Sequence, residues 1–334
     1  MAQCSHKWFI VVSLLIIFLS GCGQPASTPE NNVSSATTID LALHDRIVNT
    51  PIATTGCGKA SSVAPGSTAE ATIVSNRLQR TYLLHVPTGY DPHRLTPLVL
   101  NMHGHGEAAL KQERYSHYSA LADRYSFLVI YPQGVVGPDG KVGWATYGKK
   151  WPGVNDVLFF SDLLTRLQQQ LCVDPQRIYA TGISNGGGMT NLLACRMAGR
   201  IAAFAPVAPA VYPIPGGCHP TRPVPYLEFH GTSDPIVRYA GSAQLRLAPV
   251  MQTMQAWAAL DGCSSGPTVF FQRSDVTGLQ WASCLGNVLV QHYRIQNGGH
   301  TWPGAEIPTF LGTTTHTISA TALSWQFFQH YRLS

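Results

Sequence analysis

Hydrophobic residues along most of the chain fall into short, nearly continuous runs. Such runs are typical of strands that are buried on both faces of a mainly parallel sheet. Six of them lie at Leu98–Met102, Phe127–Tyr131, Arg177–Thr181, Ala203–Val207, Tyr226–Phe229 and Val288–Ile295. An earlier pair, Ala71–Ser75 and Arg80–Val86, instead alternates between apolar and polar residues and is split by Asn76-Arg77. That alternation predicts an antiparallel hairpin before the parallel strands.

Helical periodicity separates several of these runs. In Lys111–Tyr125, Val157–Leu171 and Val250–Leu260, apolar residues recur at spacings of three and four. Alternation of strands and helices around one sheet is typical of α/β proteins. The chain is therefore predicted to form a single α/β domain around a mainly parallel, doubly wound sheet, over residues 57–334.

The N-terminus carries an export pattern. Lys7 precedes an apolar run, Trp8–Leu19, that is too short for a comfortable membrane span and is typical of a signal peptide. The run ends in Leu19-Ser20-Gly21-Cys22, which resembles the bacterial lipobox. Residues 1–21 are therefore predicted to be a lipoprotein signal peptide and Cys22 to carry the lipid that anchors the protein to the cell envelope, at the outer membrane or cell surface. An ordinary secretory signal with a chance cysteine is the alternative.

Residues 22–56 are rich in Ser, Thr, Asn, Pro and Ala, so this segment is predicted to be a flexible tether between the lipid and the domain. The chain as a whole is 45% hydrophobic and 12% charged, with a formal net charge of +5. Lys149-Lys150 is the single adjacent pair of basic residues, so no basic stripe is present and nucleic acid is excluded as a partner.

Six cysteines remain after the predicted signal peptide and the lipidated cysteine. An even number in an exported chain predicts three disulfides. The candidates are Cys57, Cys172, Cys195, Cys218, Cys263 and Cys284. Cys263–Cys284 is the preferred pair because these residues flank one excursion between a helix and the last strand, and the other four are left open. No cysteine or histidine pair has zinc spacing, so neither a metal nor another cofactor is predicted.

The sequence Gly182-Ile183-Ser184-Asn185-Gly186 follows an apolar strand and precedes a helical pattern, Met189–Met197. A nucleophilic serine on a tight strand-to-helix turn needs small residues two positions before and after it. Gly182 and Gly186 supply them. A Gly-x-Ser-x-Gly pattern also arises by chance in glycine-rich chains, but its place between a strand and a helix favours Ser184 as a nucleophile.

A nucleophilic serine needs a base and an orienting carboxylate, each at the C-terminal end of a strand. Asp234 follows the strand that ends at Phe229, and His300 follows the strand that ends at Ile295. They are predicted to be the acid and the base. Asp261 and Asp275 lie away from strand ends and are poorer candidates. His230 and His292 lie on strands and are interpreted as packed core histidines.

The oxyanion hole is predicted to combine the backbone N–H groups of Asn185 and His105. His105 belongs to His103-Gly104-His105-Gly106, which follows the strand Leu98–Met102. Small residues there let the backbone approach a substrate. A zinc site on His103 and His105 is the alternative, although no third ligand is evident.

Four separated blocks together resemble the feruloyl esterase and polyhydroxybutyrate depolymerase family of secreted α/β-hydrolases. They are residues 98–104, 172–187, 230–237 and 298–304. The resemblance implies an α/β-hydrolase fold, an acyl-enzyme mechanism without a cofactor, and cinnamoyl, acetyl-xylan or polyester substrates. One departure is Asn155-Asp156-Val157, where the family commonly has Asp-Asp-Val; Asp156 is interpreted as a helix cap.

The predicted function is hydrolysis of feruloyl, aryl or short-acyl esters attached to a polymer such as a cell-wall polysaccharide or a polyester. Trp144, Trp151 and Trp302 are predicted to line the substrate site, together with Tyr131 and Tyr147, because flat aromatic rings suit a cinnamoyl group or a sugar face. The alternatives are an acetyl xylan esterase, a polyester depolymerase, an acyltransferase, and a surface lipoprotein that only binds a polymer. A serine peptidase of this fold is disfavoured because the chain has no room for a large lid domain.

Overall fold

The computed structural model describes residues 46–146, 151–307 and 309–334. Within them, twelve strands form one large sheet and one small hairpin. The strands are β1 Ser67–Ser75, β2 Leu78–Val86, β3 Thr96–Met102, β4 Leu128–Pro132, β5 Val135–Val136, β6 Val142–Gly143, β7 Val173–Ile183, β8 Ala203–Val207, β9 Tyr226–Gly231, β10 Ser265–Arg273, β11 Val276–Ala282 and β12 Val290–Ile295. The helices are α1 Ala109–Ser116, α2 Tyr118–Tyr125, α3 Asp156–Gln170, α4 Asn185–Arg196, α5 Val250–Leu260 and α6 Ala320–Phe328.

The large sheet has the order β1-β2-β4-β3-β7-β8-β9-β12-β11-β10. The six strands from β4 to β12 are parallel, and antiparallel strands flank them on both sides. Each predicted apolar run lies on one of the parallel strands, and every residue of β3 is buried. The carboxyl ends of these strands meet at one edge of the sheet.

Helices cover both faces of the sheet. Successive strand residues point to opposite sides, so neighbouring residues of one strand belong to different cores. Leu98 and Leu100 belong to a core with residues of α3, α4 and α5, whereas Val99 belongs to a core with residues of α1, α2 and α6. This is the predicted doubly wound arrangement. The part of the chain that the structure describes contains no helix long and apolar enough to span a membrane.

Three elements differ from the sequence prediction. The helix expected over Lys111–Tyr125 is two helices, because His117 between them has a left-handed φ of 56°. The hairpin of β10 and β11 was not predicted, because β10 is exposed at almost every residue and shows no burial pattern. Helix α6 was also not predicted; it packs Trp325 and Phe328 against the sheet.

Three disulfides join the six cysteines, as predicted. They are Cys57–Cys172, Cys195–Cys218 and Cys263–Cys284. The last is the predicted pair, and it closes the base of the β10–β11 hairpin.

The end of the predicted tether lies against the domain. Thr55 and Gly56 donate backbone hydrogen bonds to the Gln168 carbonyl on α3, and Val48 N–H donates to Ser161 Oγ. The prediction of a free tether up to residue 56 therefore does not hold for residues 48–56, since their backbone groups find partners on α3. The signal peptide, Cys22 and Tyr147 lie outside the described residues.

Candidate active site

Ser184 lies between the end of β7 and the start of α4, in a strained conformation with φ 59° and ψ −119°. Backbone atoms crowd the turn. A Cβ on Gly182 would lie 2.6 Å from the Met102 carbonyl oxygen, and one on Gly186 would lie 2.3 Å from the same atom. Both glycines are required for the approach of the turn to β3. The side chain of Ser184 is thereby presented, half-buried, beside the N-terminus of α4.

Asp234 and His300 are brought together by β9 and β12, which are neighbouring parallel strands. The Asp234 Oδ2 atom lies 2.7 Å from His300 Nδ1. Asp234 Oδ1 accepts backbone hydrogen bonds from Ile236 and Val237, each at 2.8 Å. Because the carboxylate accepts the Nδ1 proton of a neutral His300, Nε2 is left as the basic nitrogen.

The charge state of Asp234 is set by two opposing effects. Burial raises the pKa of its carboxyl group, but hydrogen bonds from His230 and His300 outweigh burial and hold that pKa well below its usual range. The carboxylate therefore stays ionised at neutral pH, as an orienting acid requires.

Ser184 and His300 lie at the same edge of the sheet, because each follows the carboxyl end of its strand and β7 and β12 are parallel. Only β8 and β9 lie between these two strands. Ser184 N–H donates to the Val207 carbonyl at the end of β8, and Ala208 N–H donates to the Phe229 carbonyl on β9. Ser184 Oγ has no hydrogen-bond partner among the described residues, His300 included. Catalytic hydrogen bonds are often long without substrate and tighten when it binds.

The two predicted oxyanion-hole residues flank Ser184. A Cβ on Gly104 would lie 3.5 Å from Ser184 Cβ, so the loop that carries His105 passes beside the serine. Within the described residues, the backbone N–H groups of His105 and Asn185 have no acceptor. Asn185 is the first residue of α4, where N–H groups lack helical partners. Their roles as donors stay predictions.

The Asn185 side chain holds a neighbouring loop. Its Oδ1 accepts from Trp144 N–H at 2.7 Å, and its Nδ2 donates to the Trp144 carbonyl and to Thr146 Oγ1. Ala145 N–H in turn donates to Asp156 Oδ2 at 2.7 Å. The start of α4 is thus tied through this loop to the start of α3.

The interpretation of Asp156 as a helix cap is wrong. The cap is Asn155, whose side chain accepts from Leu158 N–H at 3.0 Å. Asp156 instead forms a buried ion pair with Arg80, with Nη2 and Oδ1 2.8 Å apart. The Arg80 guanidinium also lies over the ring of Phe159. The asparagine therefore performs the capping, and the single acid neutralises Arg80.

The alternative of a zinc site on His103 and His105 does not fit their contacts. His103 is fully buried; its Nδ1 lies 2.7 Å from the Gly104 carbonyl, and its Nε2 accepts from Gly134 N–H. Burial lowers the pKa of His103 to about 4, so the ring is neutral. The side chain of His105 points elsewhere, with Nε2 2.8 Å from Asp139 Oδ2. Both nitrogens of His103 are used to hold the loop beside Ser184.

The predicted aromatic wall is not formed by the tryptophans. Trp144 and Trp302 are each 1% exposed and Trp151 is 7% exposed. Trp144 Nε1 donates to the His103 carbonyl, and Trp302 Nε1 donates to Thr321 Oγ1. Their rings pack under the loops that carry the candidate residues, so they support the site and offer it no open face. Tyr131 is also fully buried.

His230 and His292 are buried, as interpreted from the sequence, but they surround a carboxylate that sequence reasoning missed. Glu228 lies on β9 and is 1% exposed. The signal that could have found it was the spacing of Glu228 and His230, since residues two apart on a strand share one face. These residues continue the Asp234–His300 pair into the core.

Two solved structures of hydrolases align with this fold. An acetyl xylan esterase from Aspergillus awamori aligns with a TM-score of 0.58 at 16% identity, over 78% of this chain and 99% of that chain. An S-formylglutathione hydrolase from Agrobacterium tumefaciens aligns with a TM-score of 0.53 at 14% identity, over 82% and 99%. The protein thus has the predicted α/β-hydrolase fold.

Residues 80–268 match the family model described as Esterase PHB depolymerase, and the chain belongs to this family of carboxylic ester hydrolases. Feruloyl esterase C of Emericella nidulans is 30% identical over 82% of this chain and 90% of its own length. Feruloyl esterase B of Piromyces equi is 33% identical over 66% of this chain, and a bifunctional acetylxylan esterase/xylanase of Neocallimastix patriciarum is 28% identical over 67%. The matches span 42% and 31% of those two longer proteins.

Proposed function

We propose that this protein is an exported serine esterase that works through an acyl-enzyme on Ser184. The observation that carries the proposal is the buried pair of Asp234 and His300, with Oδ2 and Nδ1 2.7 Å apart, at the sheet edge that also presents Ser184. A neutral imidazole held in this tautomer is a general base for a serine hydroxyl.

The first half of the reaction forms the acyl-enzyme. His300 Nε2 takes the Ser184 proton while Oγ attacks the ester carbonyl carbon, and the carbonyl oxygen becomes an oxyanion. The N–H groups of Asn185 and His105 donate to that oxyanion. The tetrahedral intermediate collapses when the ester C–O bond breaks, and His300 gives its proton to the leaving alcohol. Asp234 stabilises the imidazolium throughout.

The second half repeats the sequence with water. His300 removes a proton from water, which attacks the acyl carbon, and the oxyanion returns to the same two donors. Collapse breaks the bond to Ser184 Oγ, which recovers the proton from His300. The products are a carboxylic acid and a regenerated serine, and no step needs a cofactor.

The substrates that we propose are feruloyl or other aryl esters and short-acyl esters carried by a polymer. The relatives named feruloyl esterases support the aryl esters, and the relative named an acetylxylan esterase supports acetyl esters as a second candidate. The matching family, Esterase PHB depolymerase, supports a polyester as a third candidate substrate for the same site. The buried tryptophans support neither class of substrate.

A panel of methyl ferulate, acetylated xylan, p-nitrophenyl esters of graded length and polyhydroxybutyrate tests the substrate. We expect turnover of methyl ferulate or acetyl esters and declining activity on long acyl chains. A peak at twelve carbons or more, without turnover of methyl ferulate or acetyl esters, would overturn the substrate proposal. Product formation that depends on an added alcohol acceptor would indicate an acyltransferase, and polymer binding without turnover would indicate a binding protein.

The proposed location is the cell envelope, through a lipid on Cys22. The lipobox-like residues 19–22 support it, and so do the three disulfides, because disulfides persist in oxidising compartments. Cys22→Ser should move the protein from the membrane fraction to the soluble fraction of its native host. Wild-type protein without lipid in that host would contradict the anchor.

A further inference from the structure

A chain of buried titratable groups runs from Asp234 into the core. His230 Nε2 lies 3.4 Å from Asp234 Oδ2, and His230 Nδ1 lies 2.9 Å from Glu228 Oε1. The other Glu228 oxygen lies 3.2 Å from His292 Nδ1, and His292 Nε2 lies 2.8 Å from the Tyr239 hydroxyl. Glu228 and His230 are each 1% exposed and His292 is 0% exposed, so water does not screen these contacts.

The hydrogen bonds of His230 define where its protons lie. Its Nε2 is 2.7 Å from the Val237 carbonyl oxygen. A carbonyl oxygen accepts only, so Nε2 carries a proton. On the opposite side of the ring, Nδ1 faces the Glu228 carboxyl group. One further proton lies between them, on Nδ1 of a charged His230 or on a neutral Glu228.

Charge favours the ion pair. Burial lowers the pKa of His230, but hydrogen bonds to Asp234 and Glu228 reverse this and raise that pKa well above its usual range. Burial raises the pKa of Glu228, yet the hydrogen bond from His230 and the nearby His292 ring hold it well below its usual range. A cation between two carboxylates is stabilised by both of them. Both directions favour an imidazolium at His230 and a carboxylate at Glu228.

We propose that His230, kept protonated by Glu228, is a positioning residue for the reaction: its Nε2–H lies between the Val237 carbonyl and Asp234 and holds Asp234 oriented and ionised beneath His300. The inference rests on the proposed function, since it assigns a role within the same reaction. His230 touches no reacting atom and acts through Asp234.

The location of the cation has a consequence for the base. His300 lies 2.7 Å from the Asp234 carboxylate, which favours a protonated His300. The positive charge of His230 on the same carboxylate opposes the gain of a second positive charge on His300. The other titratable groups that act on Glu228 or on its partners are His292, the hydroxyl groups of Tyr226 and Tyr239, and Arg294, which acts on Tyr239.

Glu228→Gln tests the proposal with little change of shape. The amide introduced at position 228 would donate to Nδ1 of a neutral His230, whose Nε2–H would keep its bond to Val237. The positive charge on His230, beside Asp234, would disappear. The negative charge on Glu228 would disappear as well, but Glu228 is farther from His300. We expect the acid limb of the kcat/KM profile to move up by at least roughly half a pH unit. We also expect kcat to fall about 10-fold with KM nearly unchanged, since the carboxylate is less well held.

His292→Gln is the matched control. It changes a buried partner of the same carboxylate but leaves the link between His230 and Asp234 in place. If the effect runs through His230, this variant keeps the acid limb of the wild type. An equal shift in both variants, or no shift in Glu228→Gln, would overturn the proposal, because burial alone would then account for the cluster.

A second test uses the wild-type protein alone, so its outcome does not depend on whether a variant folds. In ¹⁵N NMR spectra of the imidazole groups, His230 should show both nitrogens protonated at pH 7. A neutral His230 at that pH rules the proposal out. This result is independent of turnover: a Ser184→Ala protein that retained activity would refute the proposed reaction, whereas the nitrogen shifts would still report the charge of His230.

Discussion

The two halves of the candidate site are held in position by different forces. On the nucleophile side, backbone packing places Ser184, because Gly182 and Gly186 let the turn approach the Met102 carbonyl. On the acid–base side, Asp234 and His300 are held by charged side chains that reach back to Glu228. We therefore expect added atoms to disrupt the first half most and changes of charge to disrupt the second half most.

The largest expected effect tests the proposed nucleophile. Ser184→Ala removes the attacking oxygen and keeps the Cβ that the strained turn already accommodates. Ester turnover should fall by about 10⁶-fold, as for serine knockouts in other hydrolases. The melting temperature by circular dichroism should stay close to that of the wild type. Residual activity above a few per cent would mean that Ser184 is not the nucleophile.

The next effect tests the charged half. Asp234→Asn keeps the shape of the side chain but replaces the carboxylate with an amide, which favours the wrong His300 tautomer. Turnover should fall by roughly 10⁴-fold. Steady-state kinetics on a p-nitrophenyl ester measure this loss. A fall of less than tenfold would show that the charge of Asp234 is dispensable and would remove the contrast between the halves.

The two halves of the candidate site leave different signals in the sequence. The glycines around Ser184 are a local pattern, and the strand ends that carry Asp234 and His300 follow from the order of apolar runs. A further partner of Glu228, His292, is brought beside it by the pairing of β9 with β12. Such a partner, distant along the chain, leaves no local signal in one sequence.

Burial of the tryptophans shows a similar limit. Residue type and position place Trp144 and Trp302 near the site, but the face that a ring presents depends on packing. Trp144 turns towards His103 and Phe159, and Trp302 turns towards Tyr118. The β10–β11 hairpin was not predicted for a different reason. Its first strand is exposed at almost every residue, so its sequence shows no alternation of buried and exposed positions.

A third prediction adds an atom to the nucleophile half. Gly186→Ala places a Cβ 2.3 Å from the Met102 carbonyl oxygen, so a backbone segment must shift. We expect the free energy of unfolding to fall by about 3 kcal/mol or more, as in severe overpacking. Urea denaturation measures it.

Gly216→Ala is the control for this change. Gly216 has φ +74° and nothing within 4 Å of an added Cβ, so only backbone strain of about 1–2 kcal/mol applies. If both variants lose the same stability, or if Gly186→Ala is neutral, steric approach does not hold the turn.

The smallest expected effect concerns Asp261, a buried aspartate near β9. Its contacts differ from those of Asp234, which lies beside His230 and His300. Asp261 Oδ1 accepts from Val224 N–H at 2.8 Å, while its Oδ2 has no hydrogen-bond partner among the described residues. Burial raises the pKa of Asp261 to about 7, against the lowering effects of that hydrogen bond and of Arg222. The unfolded side chain releases its proton near pH 4. Unfolding is therefore increasingly favoured as the pH rises from about 4 to 7, and this loss of stability is complete above pH 7.

Asp261→Asn removes this titration and keeps an acceptor for Val224. Relative to the wild type, the variant should gain about 2 kcal/mol of unfolding free energy between pH 5 and pH 8. Urea denaturation at pH 5 and at pH 8 measures the unfolding free energy of both proteins. Comparing the two pH values cancels any cost of the substitution that does not depend on pH. Parallel pH dependence of the wild type and the variant would show that Asp261 releases its proton at the same pH in the folded and the unfolded chain. Burial without histidine partners would then not destabilise a carboxylate, and the histidine network would not be needed to keep Asp234 ionised.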